Sequence, residues 1–282
     1  MDPFTRLNAA AFRTTGLSAH VLAQRAYMKL WKLASPVRTF RTDFGLRMRA
    51  NIFDFIPQRV CFFGVWEPSL TRFMRETVKP GDTVVDIGAN IGYFTLLLSS
   101  LVGPTGRVIA IEAAPATAAL LRENIALNRC GNVEVCEVAV TEQPGTLKLF
   151  HSKYADGNTG HQTLIEGRGS DVFDLVKADT LLSVLGAHAS RVSFIKIDIE
   201  GAERPVLNEI VANRSRFAPR LTVVSEVDES NMTIVDAFRA AGFAASYIEN
   251  DYTFDSYLDL RAQPPKAFNG TRPETADMVF TS

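Results

Sequence analysis

The run Asp86-Ile87-Gly88-Ala89-Asn90-Ile91-Gly92-Tyr93-Phe94-Thr95 sets a carboxylate ahead of two glycines, and a second carboxylate, Glu112, follows 20 residues beyond Gly92. Glycines at such a turn permit positive φ and close backbone approach to a ligand. The spacing Gly88-x-x-x-Gly92 is not that of a dinucleotide fingerprint, and no Lys-Ser/Thr follows as a P-loop requires, so phosphate cradling is disfavoured. Asp86 would repel a pyrophosphate but suits a cationic nucleoside without phosphate, and S-adenosylmethionine carries an ammonium and a sulfonium. Glu112 stands where an acid can accept both hydroxyls of a ribose. Further along, Asp198, Glu200 and Glu203 crowd three carboxylates together beside Lys196. Such a cluster wants a proton, a metal or a basic neighbour. Asp198 is the expected base or cofactor-side residue. Glu200 is a second catalytic candidate with a structural alternative, and Glu203 suits a helix N-terminus equally well. His161, in a polar stretch with Asn158 and Thr159, is a candidate base or a ligand for acceptor hydroxyls. Asp198 and Glu226 offer oxygen ligands for Mg²⁺, a secondary expectation. No Cys/His pattern suits structural zinc.

These residues need a scaffold that delivers them to one edge. After the turn Pro80-Gly81-Asp82, short apolar runs alternate with amphipathic stretches, the pattern of a parallel sheet with helical crossovers. Strands are expected at Thr83–Ile87, Arg107–Ile111, Val133–Val138, Thr146–Phe150, Val192–Asp198 and Leu221–Val227, with closing strands at Gly242–Ile248 and Met278–Thr281. Helices are expected at Ile91–Leu101, Ala116–Asn128, Ala202–Val211 and Thr233–Ala241. The polar stretch His151–Ser170 is too long for a tight connection and reads as a functional loop. Upstream, one or two basic amphipathic helices are expected between Thr5 and Lys32, and Arg59–Phe63 reads as part of a small strand pair. The domain boundary falls at residue 65: a basic helical cap extension over 1–65 and the ligand-binding domain over 66–282.

On these residues the sequence resembles the FkbM family of S-adenosylmethionine-dependent methyltransferases. The resemblance rests on the Asp86–Thr95 run, Ile111-Glu112-Ala113-Ala114-Pro115, and Ile195-Lys196-Ile197-Asp198-Ile199-Glu200-Gly201-Ala202-Glu203, with Trp66-Glu67-Pro68 upstream. It covers about Val65 to Ser282. It implies an α/β Rossmann-like class I methyltransferase fold, a seven-stranded, mostly parallel sheet with helices on both faces and its last strand antiparallel. It implies O-methylation of a hydroxyl on a sugar, glycolipid or natural-product-like small molecule. By the same resemblance Asp86, Gly88, Asn90, Gly92 and Tyr93 line the methionine and ribose side of the cofactor and Glu112 holds the ribose. Ala113, Val138 and Ala139 flank the adenine, Asp198 lies on the cofactor side, and Glu67 reaches the cofactor's amino group, with helix capping as its alternative.

Composition bounds the partners. The 282 residues carry a net charge of −1, but residues 1–50 hold nine basic and two acidic side chains, which leaves the rest at −8. An acidic body argues against nucleic acid. So does the absence of a Pro-Pro-aromatic turn after Asp198, which amine methylation of bases commonly uses. N-methylation of protein or nucleic acid is the alternative reaction. The basic N-terminus leaves a third reading, a non-catalytic cofactor-binding module, with peripheral membrane contact through residues 1–40. A homo-oligomer stays open. Cys61, Cys130 and Cys136 are too few for a disulfide framework, no apolar run reaches the length of a membrane span, and Arg13, Arg25 and Lys29 interrupt any signal-peptide core. A cytoplasmic setting is the expectation.

Overall fold

Apolar residues alternate by twos along the central strands, so each strand feeds two cores at once. In the computed structural model, which describes residues 36–151, 164, 170–199, 201–227, 232–253, 256–257, 262–271 and 276–282, that alternation builds a sheet covered on both faces. The helices expected over residues 5–32 and most of the loop expected over 151–170 lie outside the described residues.

The described residues open with a hairpin, β1 (Val37–Arg41) and β2 (Arg47–Asn51), followed by helices α1 (Phe55–Phe63) and α2 (Pro68–Thr77). Strand β3 (Thr83–Ile87), helix α3 (Tyr93–Val102), strand β4 (Arg107–Ile111), helix α4 (Pro115–Asn128) and strand β5 (Val133–Cys136) form the first half of the sheet. Strands β6 (Ala139–Val140), β7 (Gly145–Phe150) and β8 (Phe173–Asp179) make a separate three-stranded sheet. Helix α5 (Leu181–Leu185) leads through a 3₁₀ turn to β9 (Val192–Ile197). Helix α6 (Glu203–Ala212), β10 (Thr222–Glu226), α7 (Thr233–Ala240), β11 (Ala244–Glu249), the two-residue β12 (Lys266–Ala267) and β13 (Ala276–Thr281) complete the chain.

The large sheet runs β12-β11-β13-β10-β9-β3-β4-β5. Strands β5, β4, β3, β9 and β10 are parallel, while β13 inserts antiparallel between β10 and β11. This is the Rossmann-like class I methyltransferase architecture, seven principal strands with β12 as a short edge addition. Chain order reverses between β3 and β9, the switch point at which open α/β sheets bind ligands beyond their carboxyl ends. Val84, Val108, Phe194 and Val224 turn to one core with α1, α2 and α3, and Val85, Ile109, Ile195 and Val223 turn to the other with α5, α6 and α7. Each such side chain, fully buried, contributes about 1.5–3 kcal/mol.

Three local readings are corrected. Arg59–Phe63 is not a strand but the end of α1: Pro57 lies in the helix's first turn, and Gly64, at φ 81°, ends it by donating to Val60 O. The expected strand Val133–Val138 stops at Cys136, because Ala139 and Val140 leave the large sheet to pair with Ala178 and Asp179 of β8. Strand β8 itself is unanticipated.

The N-terminal hairpin is tied down by helix side chains that imitate a strand. Asn124 and Asn128, one turn apart on α4, accept from the backbone N–H groups of Arg49 (2.7 Å) and Arg47 (2.8 Å) and donate back to the same residues' carbonyls (3.3 and 2.6 Å). The open edge of β2 thus finds partners without another strand. No helix among the described residues is long and apolar enough to cross a membrane.

Candidate active site

Strands β3, β4 and β9 end side by side and bring Asp86, Glu112 and Asp198 to one edge. The loop after β3 is stitched to both neighbours: Gly88 N and Ala89 N donate to Ile111 O of β4 at 2.9 and 3.0 Å, and Asp198 N donates to Ile87 O at 3.0 Å. Gly88 cannot be anything else. Its φ is +76°, and a Cβ there would stand 1.8 Å from Asp198 O. Asn90 also takes positive φ (49°), a conformation asparagine tolerates, and its Oδ1 accepts from Ile91 N at 2.7 Å. Gly92 starts α3 at φ +101°, with Leu121 Cδ1 where a Cβ would go.

Glu112 organises this loop. Its Oε2 accepts from Asn90 N at 2.8 Å and its Oε1 from Ala114 N at 2.9 Å. Burial pushes its carboxyl up, while those two backbone N–H groups pull it back down. Each oxygen keeps a second lone pair, enough for two ribose hydroxyls.

Asp86 is fully buried. Its Oδ2 accepts from the Thr95 hydroxyl at 2.6 Å, whereas Oδ1 has no hydrogen-bond partner and lies 3.8 Å from Lys196 Nζ. Burial raises its carboxyl, and Lys196 and then Thr95 oppose the rise. Lys196 is 5% exposed, donates to Asp198 Oδ2 at 3.1 Å and sits 5.1 Å above the Phe94 ring. Burial works against its ammonium, but Asp198, Asp86 and Glu67 outweigh burial, so it stays protonated well above neutrality. Asp198, by contrast, keeps 46% of its side chain exposed.

Glu67, at the start of α2 with φ 41°, accepts from the Tyr252 hydroxyl at 2.8 Å. Burial pushes its carboxyl well up, and Asp277 and Asp198 push it further. Glu203 Oε1 accepts from Ile199 N (3.1 Å) and Gly201 N (3.0 Å), so this acid braces the loop after β9. The Tyr93 ring is buried, its hydroxyl 3.1 Å from Thr71 Oγ1 and its edges against Phe44 and Phe94, so any ligand contact falls to its backbone. Ala139 packs with Ala114, Leu149 and Val176, and Ala113 lies against that cluster. Val138 packs instead against the core under α5, α6 and α7. His161 and Glu200 lie outside the described residues. The magnesium expectation gains no support: among the described residues no three His, Cys, Asp or Glu side chains gather as a metal site.

Several contributors carried no local signal. Thr95 completes Asp86, Tyr252 reaches Glu67 across 185 residues, and Asn124, fully buried, donates to Ile91 O at 2.9 Å inside the glycine loop. Only the last has even a partial signature, since Asn124 and Asn128 are polar residues on an otherwise apolar helix stripe.

The donor set fits an S-adenosyl ligand. The orphaned, buried Asp86 Oδ1 awaits a positive or hydrogen-bonding partner. Glu112 can take a diol, and Ala113 with Ala139 offers a small apolar wall for a flat base.

The family model described as Methyltransferase FkbM domain matches residues 86–250. The chain is 29% identical over 197 residues to the 31-O-demethyl-FK506 methyltransferase FkbM of Streptomyces tacrolimicus, covering 59% of this chain and 74% of that one. It is 28% identical over 155 residues to methyltransferase sdnD of Sordaria araneosa, covering 45% and 60% of the two chains. A solved SAM-dependent O-methyltransferase of Thermotoga maritima superposes with a TM-score of 0.45 at 15% identity, covering 90% of this chain and 79% of that one.

Proposed function

The chain belongs to the FkbM family of S-adenosylmethionine-dependent methyltransferases, and on that premise we propose that it methylates a hydroxyl oxygen on a sugar, glycolipid or natural-product-like small molecule. When bound, S-adenosylmethionine supplies an electrophilic methyl group on a sulfonium. Asp86, the Gly88–Gly92 loop and Glu112 would hold that cofactor, and Ala113 and Ala139 would flank its base. The remaining task is to orient an alcohol and accept its proton. Lys196 cannot accept it, because three carboxylates hold its own proton in place. Asp198 can. One of its oxygens is pinned by Lys196 and the other is free to take the hydroxyl proton as the oxygen attacks.

The observation that carries this reading is that single arrangement: a half-exposed carboxylate fixed by a buried lysine, next to an orphaned acid at the switch point. Orientation of two reactants at such an edge supplies much of the rate. The Streptomyces relative, a 31-O-demethyl-FK506 methyltransferase, supports oxygen as the accepting atom. The reading sets the reaction in the cytoplasm, where thiols such as Cys61, Cys130 and Cys136 persist.

The test is labelled S-adenosylmethionine with a panel of hydroxylated acceptors, with the methylated atom located by NMR. Asp198→Asn should lower kcat by about 10²-fold or more, the usual worth of a positioned base, while S-adenosylhomocysteine affinity stays within a few-fold. Label on nitrogen, or full turnover in Asp198→Asn, would overturn the assignment.

A further inference from the structure

The small sheet β6-β8-β7 turns one face to the wall formed by Ala113 and Ala139. Leu149, Val176 and Ala178 pack there with Ala114 and Ala139, and Ala113 lies against the same cluster. The strand register extends that face. Asp174 stands directly opposite Leu149 across the antiparallel ladder, and cross-strand partners point to the same side. His151 follows Leu149 by two residues and so shares its side. The ladder continues through it, since His151 N donates to Val172 O at 2.9 Å. The apolar face that covers Ala113 and Ala139 therefore ends in one polar pair, His151 and Asp174, whose side chains are 39% and 41% exposed. Leu164, from the long connection between β7 and β8, packs on the same cluster.

The chemistry of this pair is one-sided. His151 Nε2 and Asp174 Oδ2 are 2.9 Å apart, and neither side chain makes another hydrogen bond among the described residues. A carboxylate only accepts, so the proton of the neutral imidazole sits on Nε2 and leaves Nδ1 as an acceptor. Asp174 Oδ1 is a second acceptor beside it. The lysines of these strands, Lys148 and Lys177, point to the other face, Lys148 Nζ 4.4 Å from the centre of the Phe173 ring. Two adjacent acceptors at the end of an apolar wall suit a flat base that carries a primary amine, whose two N–H groups they can take. The 6-amino group of adenine is such a donor. Hypoxanthine has a carbonyl in its place and would set a third acceptor against two, and a site built for an amine rejects the analogue that lacks it.

We propose that His151 and Asp174 read the 6-amino edge of the cofactor's adenine and set the preference of the chain for an adenosyl over an inosyl ligand. The proposal rests on the cofactor reading above, with Ala113 and Ala139 beside the base. Calorimetry of the full chain tests it. The probes are S-adenosylhomocysteine and S-inosylhomocysteine, which differ only in that amine and the protonation of the ring nitrogen next to it, and the variants are His151→Ala and Asp174→Ala. Both side chains are exposed enough for the variants to fold, which circular dichroism checks.

Wild type should prefer the adenosyl ligand by at least about tenfold. In each variant the preference should fall below about threefold, through weaker binding of S-adenosylhomocysteine and with no loss of affinity for S-inosylhomocysteine. A cross-strand pair that only braced the hairpin would, on removal, weaken both ligands alike and leave their ratio unchanged, and that result overturns the proposal. So does a wild type that binds the two ligands equally, or a variant that keeps the full preference. In each of these cases S-adenosylhomocysteine still binds, so the cofactor reading survives and the adenine assignment alone falls. If the folded wild-type chain binds neither ligand, the cofactor reading falls and takes the proposal with it.

Discussion

Replacing Lys196 by Met removes the only cation within 4 Å of Asp86 among the described residues. Asp86 is fully buried, one oxygen rests on Thr95, and the other has Lys196 at 3.8 Å and no hydrogen bond. At that separation and an effective dielectric of about 20, the lost attraction is about 4 kcal/mol. Breaking a buried pair by removing one partner costs about 3–5 kcal/mol, so two routes give the same size. Urea denaturation of Lys196→Met at pH 7 should show that loss, equivalent to a melting-temperature drop of roughly 6–20 °C in a domain of this size. The deficit should also depend on pH. Asp86 already titrates above an ordinary carboxyl because burial outweighs Lys196 and Thr95, and without Lys196 it rises further. A folded-state pKa above the unfolded one means that the native state binds more protons between the two values, so stability falls as pH rises through that window. The difference between Lys196→Met and wild type should therefore narrow on going from pH 8 toward pH 5. Adding Asp86→Asn should restore at least about 2 kcal/mol, since removing both members of a buried pair is often close to neutral. A variant within about 1 kcal/mol of wild type would show that Lys196 does not stabilise the buried Asp86, because such a pair is worth several times that. So would a deficit identical at both pH values, or a double variant no more stable than the single.

Other consequences are equally concrete. Gly88→Ala should abolish folding or sharply lower the melting temperature, because its Cβ would collide with Asp198 O. Gly45→Ala, at φ +89° with nothing within 4 Å, should cost only the ~1–2 kcal/mol of a left-handed alanine, and equal effects at both sites would contradict the packing described. Asn124→Ala leaves Ile91 O and the Arg49 backbone groups on the β2 edge without their Asn124 partner, at about 1–3 kcal/mol per buried group. It should therefore lower urea stability and weaken S-adenosylhomocysteine binding together, and unchanged calorimetry would show that the hairpin does not brace the loop. Glu203→Ala should slow turnover with little change in cofactor affinity, since Glu203 braces the Asp198 loop rather than the Gly88–Gly92 loop; a loss confined to affinity would overturn that division.

Strand positions were legible where apolar runs lie between sharp turn signals. Thr83–Ile87 and Arg107–Ile111 match the expected strands residue for residue, the first bounded by Gly81-Asp82 and the glycine loop, the second by Gly106 and Glu112. The carboxylates that such strands deliver to one edge, Asp86, Glu112 and Asp198, could be read with them. Phe173–Asp179 was not read because it is half exposed and its alternation mixes charged and apolar residues on both faces. Arg59–Phe63 is apolar enough for a strand, and only Pro57 and Gly64 at fixed offsets distinguish the helix. The partnerships that complete the site are invisible to local pattern. Tyr252 with Glu67, and Asn124 with Arg49 and Ile91, arise where distant elements meet.

The central claim is that the β3 and β4 edge binds an S-adenosyl ligand through Glu112. Calorimetric titration of S-adenosylhomocysteine into the wild-type chain and into Glu112→Gln tests it, with circular dichroism to show that both are folded. Wild type should bind saturably and one-to-one, and the variant with an affinity at least about tenfold lower, since a hydrogen bond to a charged carboxylate is worth about 1.5–3 kcal/mol. No binding by folded wild-type chain, or equal binding by the two, would contradict it.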